Sequence, residues 1–152
     1  MTYEVSVEHQ ARQDAAIIRS RVTREAIPAF LGVAYAELFE VLGEQGLGPE
    51  GPPFARYRDD GDAFEVMAGV PVTAGMAATG RVEGGELPEA DCATTVHVGS
   101  YDDLPDAFHA VIEWITANGR AIAADPWESY LDGPEVPEPR TKVCFPLRPV
   151  SG

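Results

Sequence analysis

The sequence predicts an α+β fold of two pseudo-symmetric strand-helix-strand-strand repeats, forming a curved antiparallel sheet or distorted barrel with two long helices. Three observations predict it. Pro53-Phe54-Ala55-Arg56-Tyr57-Arg58-Asp59 returns 73 residues later as Pro126-Trp127-Glu128-Ser129-Tyr130-Leu131-Asp132, sharing Pro, aromatic, two variable residues, Tyr, one variable residue, Asp. The same offset carries Leu31 onto Leu104, Tyr35 onto Phe108, Leu38 onto Val111, Leu42 onto Ile115 and Gly46 onto Gly119. In both copies the apolar period changes from that of a strand to that of a helix and back. Neither copy can bury a helix and a sheet face alone. The two are therefore expected to pack as one domain over residues 1–152, with repeat one at about 13–72 and repeat two at about 90–148. The seam between such halves is where a cleft is expected.

The elements follow in order. Tyr3 to His9 alternates apolar and polar residues, as a half-buried strand does. Ala15 to Val22 reads as a second strand, and Ala15-Ala16-Ile17-Ile18 places it inside the sheet. From Pro28, the residues Phe30, Leu31, Ala34, Leu38 and Leu42 recur at helical spacing, with Tyr35 and Phe39 on the flank of the stripe. Thr23 or Arg24 marks the start of this helix and Gly46 its end. Residues 48–53 are a Gly/Pro loop. Phe54 to Arg58 and Ala63 to Val72 form a hairpin about Asp59-Asp60-Gly61-Asp62. Thr73 to Gly85 reads as a loop or bulged edge strand linking the repeats.

The second copy repeats the order. Ala90 to Val98 is a strand, and Leu104, Phe108, Val111, Ile112 and Ile115 mark a helix that Gly119 stops, with Trp114 at its flank. Trp127 to Leu131, a Pro-rich turn over 132–139 and a last strand from Arg140 to Leu147 complete it. Val70-Pro71-Val72 matches Phe145-Pro146-Leu147 at an offset of 75, so the second hairpin loop is two residues longer.

Bulk composition narrows the function. The chain has 152 residues, 11 basic against 25 acidic, and a net charge of −14, which argues against a phosphate-backbone partner. Direct nucleic-acid binding is not expected, and the only two long helices belong to the repeats, leaving none for a helix-turn-helix. No apolar run stands out as a membrane span and no signal-peptide order is present, so a cytoplasmic location without membrane contact is expected. Cys92 and Cys144 lack metal-site spacing and read as small apolar residues. His9, His97 and His109 show no ligand pattern, and no metal or cofactor is expected.

The combination of His97-Val98-Gly99-Ser100-Tyr101, Trp114-Ile115, Gly119, Trp127-Glu128-Ser129-Tyr130-Leu131 and Phe145-Pro146-Leu147 resembles the GyrI-like small-molecule-binding family. That family includes effector-binding domains of AraC-type and MerR-type multidrug regulators and has a SOUL-like fold. The resemblance covers nearly the whole chain. It implies a cleft between the repeats that takes up bulky, aromatic, often cationic compounds, with an acidic residue attracting the charge. Some stand-alone members are similar in sequence yet hydrolyse the cyclopropane of alkylating natural products. The acidic residue that members often carry in the last strand is missing here, where Arg140 and Lys142 stand.

Glu128 is the leading site residue. It lies in an apolar strand between large aromatics, and the first repeat has Ala55 in its place. Pointing into a cleft, it would be desolvated, its pKa would rise, and it would serve as counter-charge or proton carrier. On a solvated face it would pair with Arg140 or Lys142, contributing about 0–1 kcal/mol. Strand alternation puts Glu128 and Tyr130 on one face, and Trp127, Ser129 and Leu131 on the other. Tyr57 and Tyr130, and Phe54 and Trp127, are the repeat-related aromatics expected to wall the cleft. Trp114, Tyr35 and Phe39 are candidates from the helices, with a core role as the alternative. Aromatic walls would add cation–π attraction of roughly 0.5–2 kcal/mol.

Three functions fit. The first is a stand-alone binding protein for a small aromatic or cationic organic ligand, acting in drug sensing, sequestration or resistance. The second is a hydrolase of cyclopropane-containing compounds, with Glu128 and Tyr130 or Tyr57 as catalytic groups. The third is an acidic inhibitor of a DNA-handling enzyme such as gyrase, which would make a protein the partner.

Overall fold

The computed structural model describes residues 3–73, 76–133 and 135–150. In chain order the elements are β1 (Ser6–Gln10), β2 (Gln13–Val22), α1 (Ile27–Glu44), β3 (Phe54–Asp59), β4 (Phe64–Pro71), β5 (Glu83–Leu87), β6 (Ala90–Val98), α2 (Leu104–Ala117), β7 (Trp127–Tyr130) and β8 (Arg140–Pro146). The fold is α+β, and every strand pairing within each unit is antiparallel. Contacts divide the chain into two units. One is Arg12–Pro88; the other joins Met1–Ala11 to Glu89–Gly152.

In the Arg12–Pro88 unit the strand order is β3-β4-β2-β5. The β2 segment Ala15–Ile18 is buried on both faces, as its unbroken apolar run requires. Helix α1 lays Ala34, Leu38, Val41 and Leu42 against Ala16 and Ile18 of β2 and Ala68 and Val70 of β4. A 3-10 turn over Arg24–Ala26 precedes α1, and the Thr23 carbonyl accepts from the Ala26 N–H. Gly46 ends the helix at φ +69°, where the N–H of Leu47 returns to the Leu42 carbonyl at 2.8 Å and that of Gly46 to the Gly43 carbonyl at 3.2 Å. This is the left-handed closure that glycine makes without steric cost.

In the second unit the order is β1-β6-β8-β7. Helix α2 packs Leu104, Ala107, Val111 and Ile115 on Ala93, Val143 and Phe145, with Tyr3, Val5, Phe108 and Trp114 at the margin. Gly119, at φ +66°, closes α2 as Gly46 closes α1, and the Arg120 N–H reaches the Ile115 carbonyl at 3.0 Å. Each unit thus contains the expected strand-helix-strand-strand repeat, with equivalent strands in equivalent order.

The sequence reading expected a strand over Tyr3 to His9 and a loop or bulged edge strand over Thr73 to Gly85, but not where either would pair. β1 joins β6 at the edge of the second unit, and β5 joins β2 at the edge of the first. The segment expected to be a loop or bulged edge therefore contains a strand that runs on to Leu87; Ala74 and Gly75 within it lie outside the described residues. The reading of apolar runs also needs correction. By length and composition alone, Arg24–Glu44 would qualify as a membrane span. Its face away from the sheet exposes Ala29, Gly32, Val33, Ala36 and Phe39 in its first three turns, and the charged Glu40 and Glu44 toward its end. The small and apolar residues of its first turns account for the high mean hydropathy, while its buried stripe is committed to β2 and β4.

Candidate functional site

Cross-strand partners share a sheet face, so the register of the second unit sorts its side chains. Glu128 pairs with Val143 and Tyr130 with Thr141; Val143 and Thr141 pair in turn with Thr95 and His97 of β6. Because Val143 packs against α2, this whole set lies on the helix side. One end of that face is apolar core and the other is polar. Glu128 is 5% exposed, His97 1% and Thr141 0%. Burial of a carboxylate, an imidazole and a hydroxyl on one sheet face demands partners, since leaving each unpaired costs kilocalories.

Most of those partners lie within the same unit. The Tyr130 hydroxyl donates to Glu128 Oε1 at 2.9 Å. His97 Nε2 lies 2.7 Å from the Ser100 carbonyl, which only accepts, so Nε2 carries the proton. His97 Nδ1 then accepts from the Tyr3 hydroxyl at 2.9 Å. Thr95 Oγ1 donates to the Glu4 carbonyl at 2.7 Å. Thr141 Oγ1 is buried and makes no hydrogen bond. His97 is therefore a structural tie between the N-terminal segment, the strand β6 and the turn leading to α2.

Tyr101, on the 3-10 turn before α2, sets its ring edge against Tyr130 with centroids 6.0 Å apart and planes at 76°. The Ser100 hydroxyl holds that turn by accepting from the Asp102 N–H. Burial, then the negative charges of Glu135, Glu128 and Asp132, raise the Tyr101 phenol above its ordinary pKa. The arrangement is two tyrosine rings beside a buried carboxylate. It can hold a planar aromatic by stacking, balance a positive charge, and offer a proton at the phenol.

Other candidates fall elsewhere. Trp127 pairs with Cys144, which puts it on the sheet face opposite Glu128, and it is 1% exposed. Arg140 and Lys142, offered as partners for Glu128, also lie on that opposite face. Arg140 Nε binds Asp132 at 2.8 Å and Lys142 Nζ binds Glu8 at 2.6 Å. Trp114 is half-buried at the margin of the α2 core. In the Arg12–Pro88 unit Phe54 is fully buried and its ring covers Gly69, on the face away from α1. Tyr57, half-buried, pairs with Val66 on the α1 side. Tyr35 packs at the core edge and donates its hydroxyl to the Phe54 carbonyl. Phe39 is 43% exposed on α1. Cys92 and Cys144 are both buried, and burial pushes the Cys144 thiol up to about 12, far from reactive. Among the described residues no group of three or more His, Cys, Asp or Glu could hold a metal ion.

Comparing equivalent register positions shows where the copies part. Where the first unit has Ile18, Ser20, Val66 and Ala55, the second has Thr95, His97, Thr141 and Glu128. Sequence comparison found only the last of these. Tyr101 stood in the quoted motif without a site role.

The duplicated strand-helix-strand-strand order with antiparallel pairing places the chain in the α+β class. The chain belongs to the GyrI-like small molecule binding domain family, whose sequence model matches residues 3–148. Among curated proteins, no sequence match was found. Solved structures share the fold. EcmrR, in its DNA complex within EcmrR-RPo, superposes with a TM-score of 0.86 at 22% identity, covering 97% of this chain and 58% of that one. This chain thus spans little more than half of that relative. SAV2435 bound to tetraphenylphosphonium gives 0.73 at 14% identity, covering 97% and 94%. A hydrolase encoded by lin2189 from Listeria innocua gives 0.69 at 12% identity, covering 95% and 92%.

Proposed function

We propose that this protein captures bulky aromatic organic compounds, cationic ones included, and that Glu128 and Tyr130 supply the polar contact. The single observation carrying this reading is the buried Glu128 carboxylate accepting the Tyr130 hydroxyl, with the Tyr101 ring packed on the same tyrosine. A carboxylate only 5% exposed is little screened by water, so its attraction for a bound positive charge is strengthened. The family description supports capture of small molecules, and the solved complex of SAV2435 with tetraphenylphosphonium supports a lipophilic cation as a test ligand. The same reading places the protein in the cytoplasm, acting in sensing, sequestration or resistance without direct nucleic-acid or membrane contact. Tyr101 beside Tyr130, and Trp114 at the margin of the α2 core, are its proposed aromatic contributors within the same unit, each testable by substitution.

Equilibrium dialysis with tetraphenylphosphonium and rhodamine 6G tests the reading. Wild type is expected to bind both, and Glu128→Gln to bind each at least tenfold more weakly. Absence of binding to every bulky aromatic cation tried would overturn it.

The contact between a buried carboxylate and a phenol also fits a second reading, hydrolysis of a cyclopropane-containing electrophile. There Glu128 would take a proton from the attacking water while a tyrosine hydroxyl protonates the oxygen that receives the electrons of the breaking carbon–carbon bond. Product analysis by mass spectrometry with such an electrophile separates the two readings. Turnover abolished in Glu128→Gln with binding retained favours the enzyme; stoichiometric capture without product excludes it.

A further inference from the structure

The register of β8 sets an unusual residue in the row nearest Tyr130. Thr141 is 0% exposed, and its hydroxyl has no hydrogen-bond partner. It lies directly across from Tyr130 on one side and His97 on the other, on the face that carries Glu128. His97 has both ring nitrogens engaged with Tyr3 and Ser100. The Tyr130 hydroxyl is turned to Glu128. The packing at this position needs no hydroxyl, because the equivalent residue of the other unit, paired in the same way with Tyr57, is the fully buried Val66. Valine and threonine have nearly the same shape. The second copy therefore keeps a polar atom that its own fold leaves unsatisfied, and a buried unsatisfied group is a cost that a fold sheds unless something else uses it.

We propose that Thr141 is a specificity-determining residue of the ligand site, its hydroxyl hydrogen-bonding an oxygen or nitrogen at the edge of the captured aromatic compound. The inference rests on the binding reading above and names the chemistry within it. Favoured ligands carry a carbonyl, ether or N–H group on a planar aromatic frame, beyond bulk and charge alone. Tyr130, half-buried and adjacent across the register, is the side chain that turns about χ1 to admit such a group to Thr141.

Two probes separate this from a general role. Tetraphenylphosphonium has no hydrogen-bonding atom; rhodamine 6G is an aromatic cation with an ester carbonyl and N–H groups. With Thr141→Val, affinity for rhodamine 6G is expected to fall about tenfold while tetraphenylphosphonium binds as to wild type; Thr141→Ser keeps both. Equal binding of rhodamine 6G to wild type and Thr141→Val overturns the inference and leaves the binding reading intact. Equal loss of both probes overturns it in favour of a packing role. Wild type that fails to bind rhodamine 6G while binding tetraphenylphosphonium also overturns it, and wild type that binds neither removes the binding reading as well.

Discussion

Replacing Gly69 by alanine would test whether Phe54 is a core plug or a ligand wall. A Cβ built on Gly69 would stand 2.3 Å from Phe54 Cζ and 2.7 and 2.8 Å from Cε1 and Cε2, well inside van der Waals contact. The ring is fully buried and its β4 partner is Gly69 itself, so the ring has little room to retreat. Overpacking of this kind costs about 1–3 kcal/mol, and the gain of about 0.5–1 kcal/mol from removing a strand glycine only trims it. Urea denaturation should therefore show Gly69→Ala destabilised by about 1–3 kcal/mol at unchanged m-value. Trimming the ring with Phe54→Leu should relieve the clash, giving a double variant less destabilised than the sum of the singles by about 0.5–3 kcal/mol. Ligand affinity in Gly69→Ala should stay within twofold of wild type. A Gly69→Ala protein as stable as wild type, or strictly additive singles, would refute the seating of Phe54 over Gly69.

Further outcomes follow from the same geometry. Gly119→Ala forces a side chain into φ +66° at the close of α2 and should cost about 1 kcal/mol in thermal or urea unfolding, with Gly46→Ala at φ +69° costing a similar amount; no loss in either would contradict the left-handed closures. His9 is held by Asp91 at 3.0 Å and Glu89 at 3.2 Å, and these hydrogen bonds, Asp91 first, raise its pKa above the ordinary 6.5. Its stabilising contribution is accordingly full below that ordinary value and lost as pH rises through the raised one. An NMR titration should show His9 above 6.5 and returning toward it in Asp91→Asn; a wild-type value at or below 6.5 would exclude the pairing. Tyr130→Phe removes the O–H donated to Glu128 while keeping the ring, so cation binding should weaken about threefold to tenfold with folding retained. Unchanged affinity would mean that the phenol contributes only its ring.

Much of this fold was legible because its signals are local. The helical stripes from Leu31 to Leu42 and from Leu104 to Ile115, and Gly46 and Gly119 beyond them, fix where each helix runs and stops. The edge strands were harder. β1 is a strand by its alternation, but nothing local in Ser6–Gln10 says that it pairs with β6, more than eighty residues away. β5 contains Gly84 and Gly85, which read as loop, because its strand character comes from pairing with β2 rather than from propensity. Glu128 and Tyr130 were legible together since a shared face follows from their spacing of two. That same parity separates Trp127 from Glu128, so the most conspicuous aromatic of the strand packs on the sheet face opposite the carboxylate.

The site's remaining residues were hidden by the offset chosen for comparison. At 73 residues, the first hairpin strands align and show Ala55 against Glu128. Only the offset of 75, which aligns the closing strands, sets Val66 against Thr141, and only strand pairing brings His97 and Ser20 to equivalent places. Taken by register, the divergence between copies is not scattered. Positions deep under the helices remain apolar in both, Ala16 with Ala93, Ala68 with Val143 and Val70 with Phe145, because both cores must exclude water. The polar replacements gather at the end of one face, around Tyr130. Random drift after duplication would place polar residues first where they are exposed and cost nothing. Their concentration at three fully or nearly buried positions, Thr95, Thr141 and Glu128, where the other copy has Ile18, Val66 and Ala55, is the pattern expected under the binding reading proposed above, one copy keeping the fold and the other taking up a ligand.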